Sequence, residues 1–226
     1  MALYQHVLVA VDRTGQSVQM ARALLKTPSF ATARVTALHV VTKQTVAANV
    51  REDREQGEQC LHDAIERLQV QPDIKIATRL EAGDAKTIVL KVADEVDASL
   101  IVMGARGMGR LMSILKNSVS QYVFQLSTRP MLLVREEAFI GSLRRVMVAI
   151  DSSTAAQNAL REAIALVRDI PGSEILLARV RKRSVASSSK ESIEALERED
   201  KVLADAKALL KRDKIAHRAY FAIGDP

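Results

Sequence analysis

Tryptophan is missing from this 226-residue chain, and there are only four phenylalanines and three tyrosines. The core must therefore be built from Ala, Val, Leu, Ile and Met. Stacking of bases on aromatic platforms, the usual device of single-strand nucleic-acid grooves, has little to work with. The single cysteine, Cys60, excludes a disulfide framework and a cysteine-based metal centre. Beside Leu61 and Ala64, at an apolar helical position, it reads as a small core residue. No apolar run approaches the roughly 20 residues that span a bilayer, so no membrane partner is expected. The N-terminal run MALYQHVLVAVD enters a strand without the basic stretch and cleavage site of an export signal. A cytoplasmic location is the expectation. A net charge of +6 is a mild excess that favours phosphate in general rather than nucleic acid. Catalytic patterns are equally scarce. The chain has no Walker-type Gly-Lys-Ser/Thr, no evident carboxylate pair placed for magnesium, and no Ser–His–Asp or Cys–His constellation. ATP hydrolysis is the reading with least behind it.

What is present is a repeat. HVLVAVD at 6–12 recurs as RVMVAID at 145–151, RVTALHVV at 34–41 is echoed by EILLARV at 174–180, and TRLEAGD at 78–84 by YFAIGDP at 220–226. Both short runs of the first pair are rich in β-branched residues and close on an aspartate. The offset drifts by single residues from Asp12/Asp151 to Gly83/Gly224, as two copies of one module with small indels would give. Between the apolar runs, helical faces repeat: Val18, Ala21, Leu24, Leu25; then Cys60, Leu61, Ala64, Ile65, Leu68; then Ile88, Val89, Val92, Ala93, Val96. Continuous apolar strands alternating with such helices predict an α/β fold with a doubly wound, open parallel sheet. The spacing predicts strands at 5–12, 34–41, 74–80, 98–103 and 130–135, with helices at 16–26, 50–69, 85–96 and 118–127. Residues 1–137 form the first module, and 143–226 a second that stops before any counterpart of residues 85–135. A sheet cut there bares an apolar edge, so the second copy is read as a fragment or a natural remnant. Arg179, Arg181, Lys182 and Arg183, ahead of the Ser-rich stretch 184–189, read as a solvated mobile loop.

The chemistry concentrates in SLIVMGARGMGRLMSILKNSVSQYVFQLSTRPMLLVR, residues 99–135. Gly104 closes a buried strand, Gly107 follows three residues later, and Asn117–Ser118 come after nine more. The two glycines remove side chains where a backbone must turn and approach a ligand. A lone Gly-x-x-Gly is more often a structural turn. Here, however, Ser118 is a good N-cap for a helix whose first N–H groups and positive dipole end suit phosphate. Gly104 and Asp12 both lie at carboxyl ends of strands, where ligands bind in open parallel sheets.

The whole block resembles the universal stress protein family. Its nucleotide-binding members carry G-x2-G-x9-G-[ST] after an IVMG strand, then a V-x-x-x-V helix and a P-[VM]-L-V-V strand. VAVD and LHVV at the ends of the first two strands agree, so the chain resembles a tandem member of that family. The resemblance implies a Rossmann-like, adenine nucleotide alpha hydrolase-like sheet of order 3-2-1-4-5 in two tandem copies. It implies a nucleotide-binding stress-response module with ATP or another adenine nucleotide as ligand, with magnesium as its candidate companion. Asp12 and Val40 would contact the nucleoside, while Gly104, Gly107, Asn117, Ser118 and Val119 would hold the phosphates. Arg106 could neutralise phosphate charge, or simply be solvated. Asn117 stands where the pattern has glycine, and asparagine tolerates left-handed backbone best among the other residues. That departure keeps a second reading open, an interaction protein of the same fold without nucleotide. Asp12 has a plainer reading as the cap of the next helix, and His39 as a packed strand-end histidine. In this family the last strand of each module pairs with its twin, within one chain in tandem members. Here only the first copy has that strand, so a homodimer paired through strand 130–135 is expected, or else the residues missing from the second copy would have supplied the partner.

Overall fold

In a computed structural model of the chain, the alternating pattern becomes two parallel sheets, each in its own compact unit, residues 1–141 and 142–226. The structure describes residues 4–41, 50–68, 74–104, 118–134, 143–182 and 196–224. In the first unit the strands are β1 (His6–Ala10), β2 (Arg34–Val41), β3 (Ile76–Ala82), β4 (Leu100–Gly104) and β5 (Met131–Val134). They are joined by helices α1 (Gln16–Leu25), α2 (Val50–Leu68), α3 (Ala85–Glu95) and α4 (Val119–Leu126). All neighbours pair in parallel, in the order β3-β2-β1-β4-β5. The doubly wound class stands as the alternation predicted, and the sheet order as the family resemblance implied.

Apolar runs form the central strands because both faces are covered. Val7, Leu8 and Val9 of β1 and Ile101 and Val102 of β4 are all buried. Leu8, Leu38, Ile101 and Met103 face Val89, Val92 and Ala93 of α3 and Val123 of α4. The buried faces of α1 (Val18, Ala21, Leu24, Leu25) and α2 (Leu61, Ala64, Leu68) cover the other side. Turn chemistry delimits the helices. Asp84 and Ser118 cap α3 and α4, accepting from the backbone N–H of Lys86 and Gln121. The first helix instead starts at Gly15, whose φ of 67° is left-handed and natural only to glycine.

The second unit has β6 (Arg145–Ala149), α5 (Thr154–Val167), β7 (Glu174–Arg181), α6 (Lys201–Arg212) and β8 (Ala216–Ile223), with strand order β6-β7-β8. Its backbone repeats the first unit bond for bond. Val11 N–H donates to the Leu38 carbonyl at 2.8 Å, as Ile150 N–H does to Ala178 at 2.9 Å; Gly83 N–H reaches Val41 as Gly224 N–H reaches Arg181, both at 2.9 Å. Both helices pack on one face, over Val148, Ile175 and Leu177. Among the described residues the other face has no helix, so Met147, the counterpart of the fully buried Leu8, is 64% exposed. The basic cluster departs from its sequence reading. Arg179 and Arg181 belong to β7, and Arg179 Nε donates at 3.1 Å to Oδ2 of the buried Asp200. The strand carries the arginine inward, and the cap of α6 meets it there. Arg183 lies outside the described residues.

Two outcomes follow from burial. Leu8→Ala should cost about 2–5 kcal/mol and Met147→Ala no more than about 0.5 kcal/mol, read by denaturation with amide exchange followed separately in β2 and β7. Equal costs would contradict the one-sided cover of the second sheet. His6, at the start of β1, is buried with Nε2 2.8 Å from Thr36 Oγ1. Burial, then the nearby Arg34, hold its pKa below the usual 6.5, offset in part by Val96 and Asp97. The stability this neutral histidine confers is present above pH 6.5 and is lost as pH falls through 6.5 towards its lower folded value. The first unit should lose stability on mild acidification, and His6→Gln should flatten that slope; an unchanged slope counts against the assignment.

Candidate functional site

At the carboxyl ends of β1, β2 and β4 the first unit encloses an open cavity of about 610 Å³. Asp12, Val40, Gly104, Ser118 and Val119 all line it. Four separate stretches of chain are thus gathered at one place, as expected where parallel strands end and the connections diverge. Arg106, Gly107 and Asn117 lie outside the described residues.

Asp12 shapes the mouth. Its Oδ1 accepts from the Thr14 N–H at 3.0 Å, the Thr14 hydroxyl at 2.6 Å and the Gly15 N–H at 3.2 Å. These bonds turn the chain off the sheet directly after β1. The carboxylate therefore holds the turn before α1 without capping that helix, whose N-cap is Gly15 with no side-chain cap bond. Its Oδ2 is directed towards Gly104, where a Cβ would meet it at 3.4 Å. That is ordinary contact distance, so the absent side chain of Gly104 clears the cavity rather than relieving a clash within the protein. In the second unit Asp151 plays the same turn role, accepting from the Ser153 N–H at 2.8 Å. Hydrogen bonds from the Ser153 hydroxyl and backbone hold its carboxyl below the usual range.

Val40 contributes backbone as well as side chain. Residues two apart on a strand turn their peptide groups to the same side. The Leu38 carbonyl accepts from Val11, so the Val40 carbonyl is aimed past the end of β1, over the cavity floor of Leu38, Val89 and Met103. His39 Nδ1 donates to the Val11 carbonyl at 2.9 Å, as a packed strand-end histidine would. On the opposite wall, Ser118 caps α4, its Oγ accepting from Gln121 N–H at 3.1 Å. The first N–H groups and positive end of that helix border the cavity at Val119 and Ser120.

Helix α2 supplies a wall that sequence reasoning missed: Asp53, Gln56 and Gly57. A Cβ at position 57 would stand 2.8 Å from Leu80 Cδ1 and 3.1 Å from His39 Cδ2, so glycine lets the helix lie close on β2 and β3. A glycine inside a helix costs about 1 kcal/mol, and that anomaly was the available signal. Arg13, also missed, bridges from the β1–α1 turn to Gln56 Oε1 at 2.8 Å. Cys60 is half-buried with Sγ 3.6 Å from the Asp12 carbonyl. Burial, then the charges of Asp12 and Asp63, push its thiol up and make it a poor nucleophile. Among the described residues no group of three or more His, Cys, Asp or Glu could hold a metal, and no helix is long and apolar enough to cross a membrane.

Comparison with known proteins agrees with this architecture. The universal stress protein family matches residues 3–135 and again 142–224. Universal stress protein YxiE of Bacillus subtilis is 29% identical over 149 residues, which is 59% of this chain and 100% of that relative. A crystal structure of a universal stress protein from Archaeoglobus fulgidus superposes with a TM-score of 0.72 at 22% identity, covering 98% of this chain and 77% of the other. Two family matches in tandem, over two sheets with the same inter-strand bonds, place the chain in the universal stress protein family.

Proposed function

We propose that the first module binds an adenine nucleotide, ATP foremost, as a cytoplasmic regulatory module of the stress response rather than as a hydrolase. The observation that carries this reading is the convergence of Asp12, Val40, Gly104, Ser118 and Val119 on one cavity. These are the positions that the family's nucleotide-binding members use. A volume of about 610 Å³ is also ordinary for a small-molecule site, which runs to about 300–1,000 Å³.

Each part of a nucleotide has a chemical counterpart. The apolar floor of Leu38, Val89 and Met103 takes the base, and the Val40 carbonyl accepts from an exocyclic amino group, which adenine has there and a hypoxanthine lacks. The Asp12 carboxylate accepts from ribose hydroxyls while its turn bonds hold it still. Phosphate meets the N–H groups at the start of α4, whose dipole favours negative charge. Magnesium would enter on the triphosphate and supply charge neutralisation there.

The same reading pairs two chains through β5, which ends the sheet. Beside it, α4 exposes Phe124 and Leu126. Among the described residues nothing pairs with the outer edge of β5, and an open edge next to apolar surface suits pairing with a second strand.

Titration of the full chain with ATP should raise its melting temperature and give a saturable isotherm. In Asp12→Asn the amide oxygen still accepts from Thr14 and Gly15, so the unliganded protein should melt as before. Affinity should nonetheless drop by about tenfold, the worth of a hydrogen bond to a charged group. Absence of stabilisation by any adenine nucleotide at millimolar concentration would refute the reading. For the pairing, light scattering at micromolar concentration should report a dimer that Leu132→Lys dissociates; a monomeric wild-type chain would exclude it.

A further inference from the structure

Among the described residues, the charged side chains lining this cavity are Asp12, Asp53 and the cation Arg13. A neutral nucleoside could enter such a site unaided, but a phosphorylated one brings further negative charge and needs a counter-charge. The start of α4 supplies only a fractional one.

Arg13 is placed to supply the rest. Its single described side-chain bond runs from Nη2 to Gln56 Oε1 at 2.8 Å, and Gln56 Nε2 in turn donates to Glu52 Oε1 at 3.3 Å. The partner is a neutral amide, and among the described residues Arg13 makes no ion pair with a carboxylate. A guanidinium has five N–H donors in a planar fork. One is spent on Gln56, which leaves the fork anchored to α2 with donors to spare. Phosphate oxygens match that fork in spacing and charge better than any group of a nucleoside does.

We propose that Arg13 is the residue by which this cavity distinguishes phosphorylated from unphosphorylated nucleosides, donating to a ligand phosphate oxygen while Gln56 holds its guanidinium in place. The inference rests on the reading of the cavity as an adenine-nucleotide site. It adds a ligand from the β1–α1 turn to the N–H groups at the start of α4, and it makes phosphate recognition a property of both elements.

The test is a calorimetric series on the full chain with adenosine, AMP, ADP and ATP at one ionic strength, in wild type, Arg13→Gln and Arg13→Lys. Wild type should bind the phosphorylated ligands more tightly than adenosine. Arg13→Gln should reduce that preference by about tenfold, as expected for loss of a charge-assisted hydrogen bond. Its affinity for adenosine should change by less than about twofold, since no charge is involved. Arg13→Lys, which keeps the charge but not the fork, should retain most of the preference, and the retained part should shrink as salt is raised. An equal loss for all four ligands in Arg13→Gln would make Arg13 a support of the cavity wall and overturn the proposal. An unaltered series in that variant would overturn it as well, leaving the nucleotide site intact. Binding of none of the four by wild type would remove the nucleotide reading itself.

Discussion

The three hydrogen bonds that Asp12 Oδ1 accepts from Thr14 and Gly15 turn the chain off the sheet directly after β1, and much of the site depends on that turn. Because the strand stops there, the neighbouring β2 runs on past it, still paired with β3 through Val41 but with its β1 ladder ending at Leu38. The turn also requires Gly15 in the left-handed region, which launches α1 on one face of the sheet. It sets Arg13 across from α2, where Gln56 receives it. One oxygen of this carboxylate holds the backbone, while the other lies near Gly104 at the end of β4.

Comparing the two units shows how much of a site lies beyond this turn. Asp151 repeats the role of Asp12, and the inter-strand bonds at both ends of the strands are the same. Yet the second unit buries only one face of its sheet among the described residues, and Met147 is exposed where Leu8 is sealed. The position of His39 is taken by Arg179, which spends its charge on Asp200. Asp200 is the buried member of this pair and needs a counter-charge there, so the partly buried Arg179 is committed to holding α6 on β7. The same backbone has therefore been fitted with different wall chemistry. A nucleotide reading of one copy does not carry over to the other.

Local pattern and tertiary gathering contributed differently to what could be read. The strands and helices were legible to within about two residues, because continuous apolar runs on strands covered on both faces and helical faces of period 3.6 are imposed by burial itself. The helix at 50–68 and the strand at 34–41 sit where periodicity puts them. Asp12, Val40, Gly104, Ser118 and Val119 were legible through a family pattern tied to strand ends and a helix start. Arg13, Asp53, Gln56 and Gly57 were not. They lie on a solvated turn and on a helix whose polar residues look alike in sequence. Only the packing of α2 against β2 and β3 selects which of them borders the cavity.

The amino-acid sequence by itself determined the parallel α/β architecture, through apolar runs and helical faces, and the duplication, through recurring runs, while the strand-end positions of the site were legible through the family pattern. Tertiary structure alone decided that Arg179 pairs with the buried Asp200 and that Arg13 reaches Gln56 of α2 beside the cavity. Those outcomes depend on which surfaces meet when crossover connections bring distant stretches together. No pattern within a single stretch encodes the distance between one helix and the end of another strand.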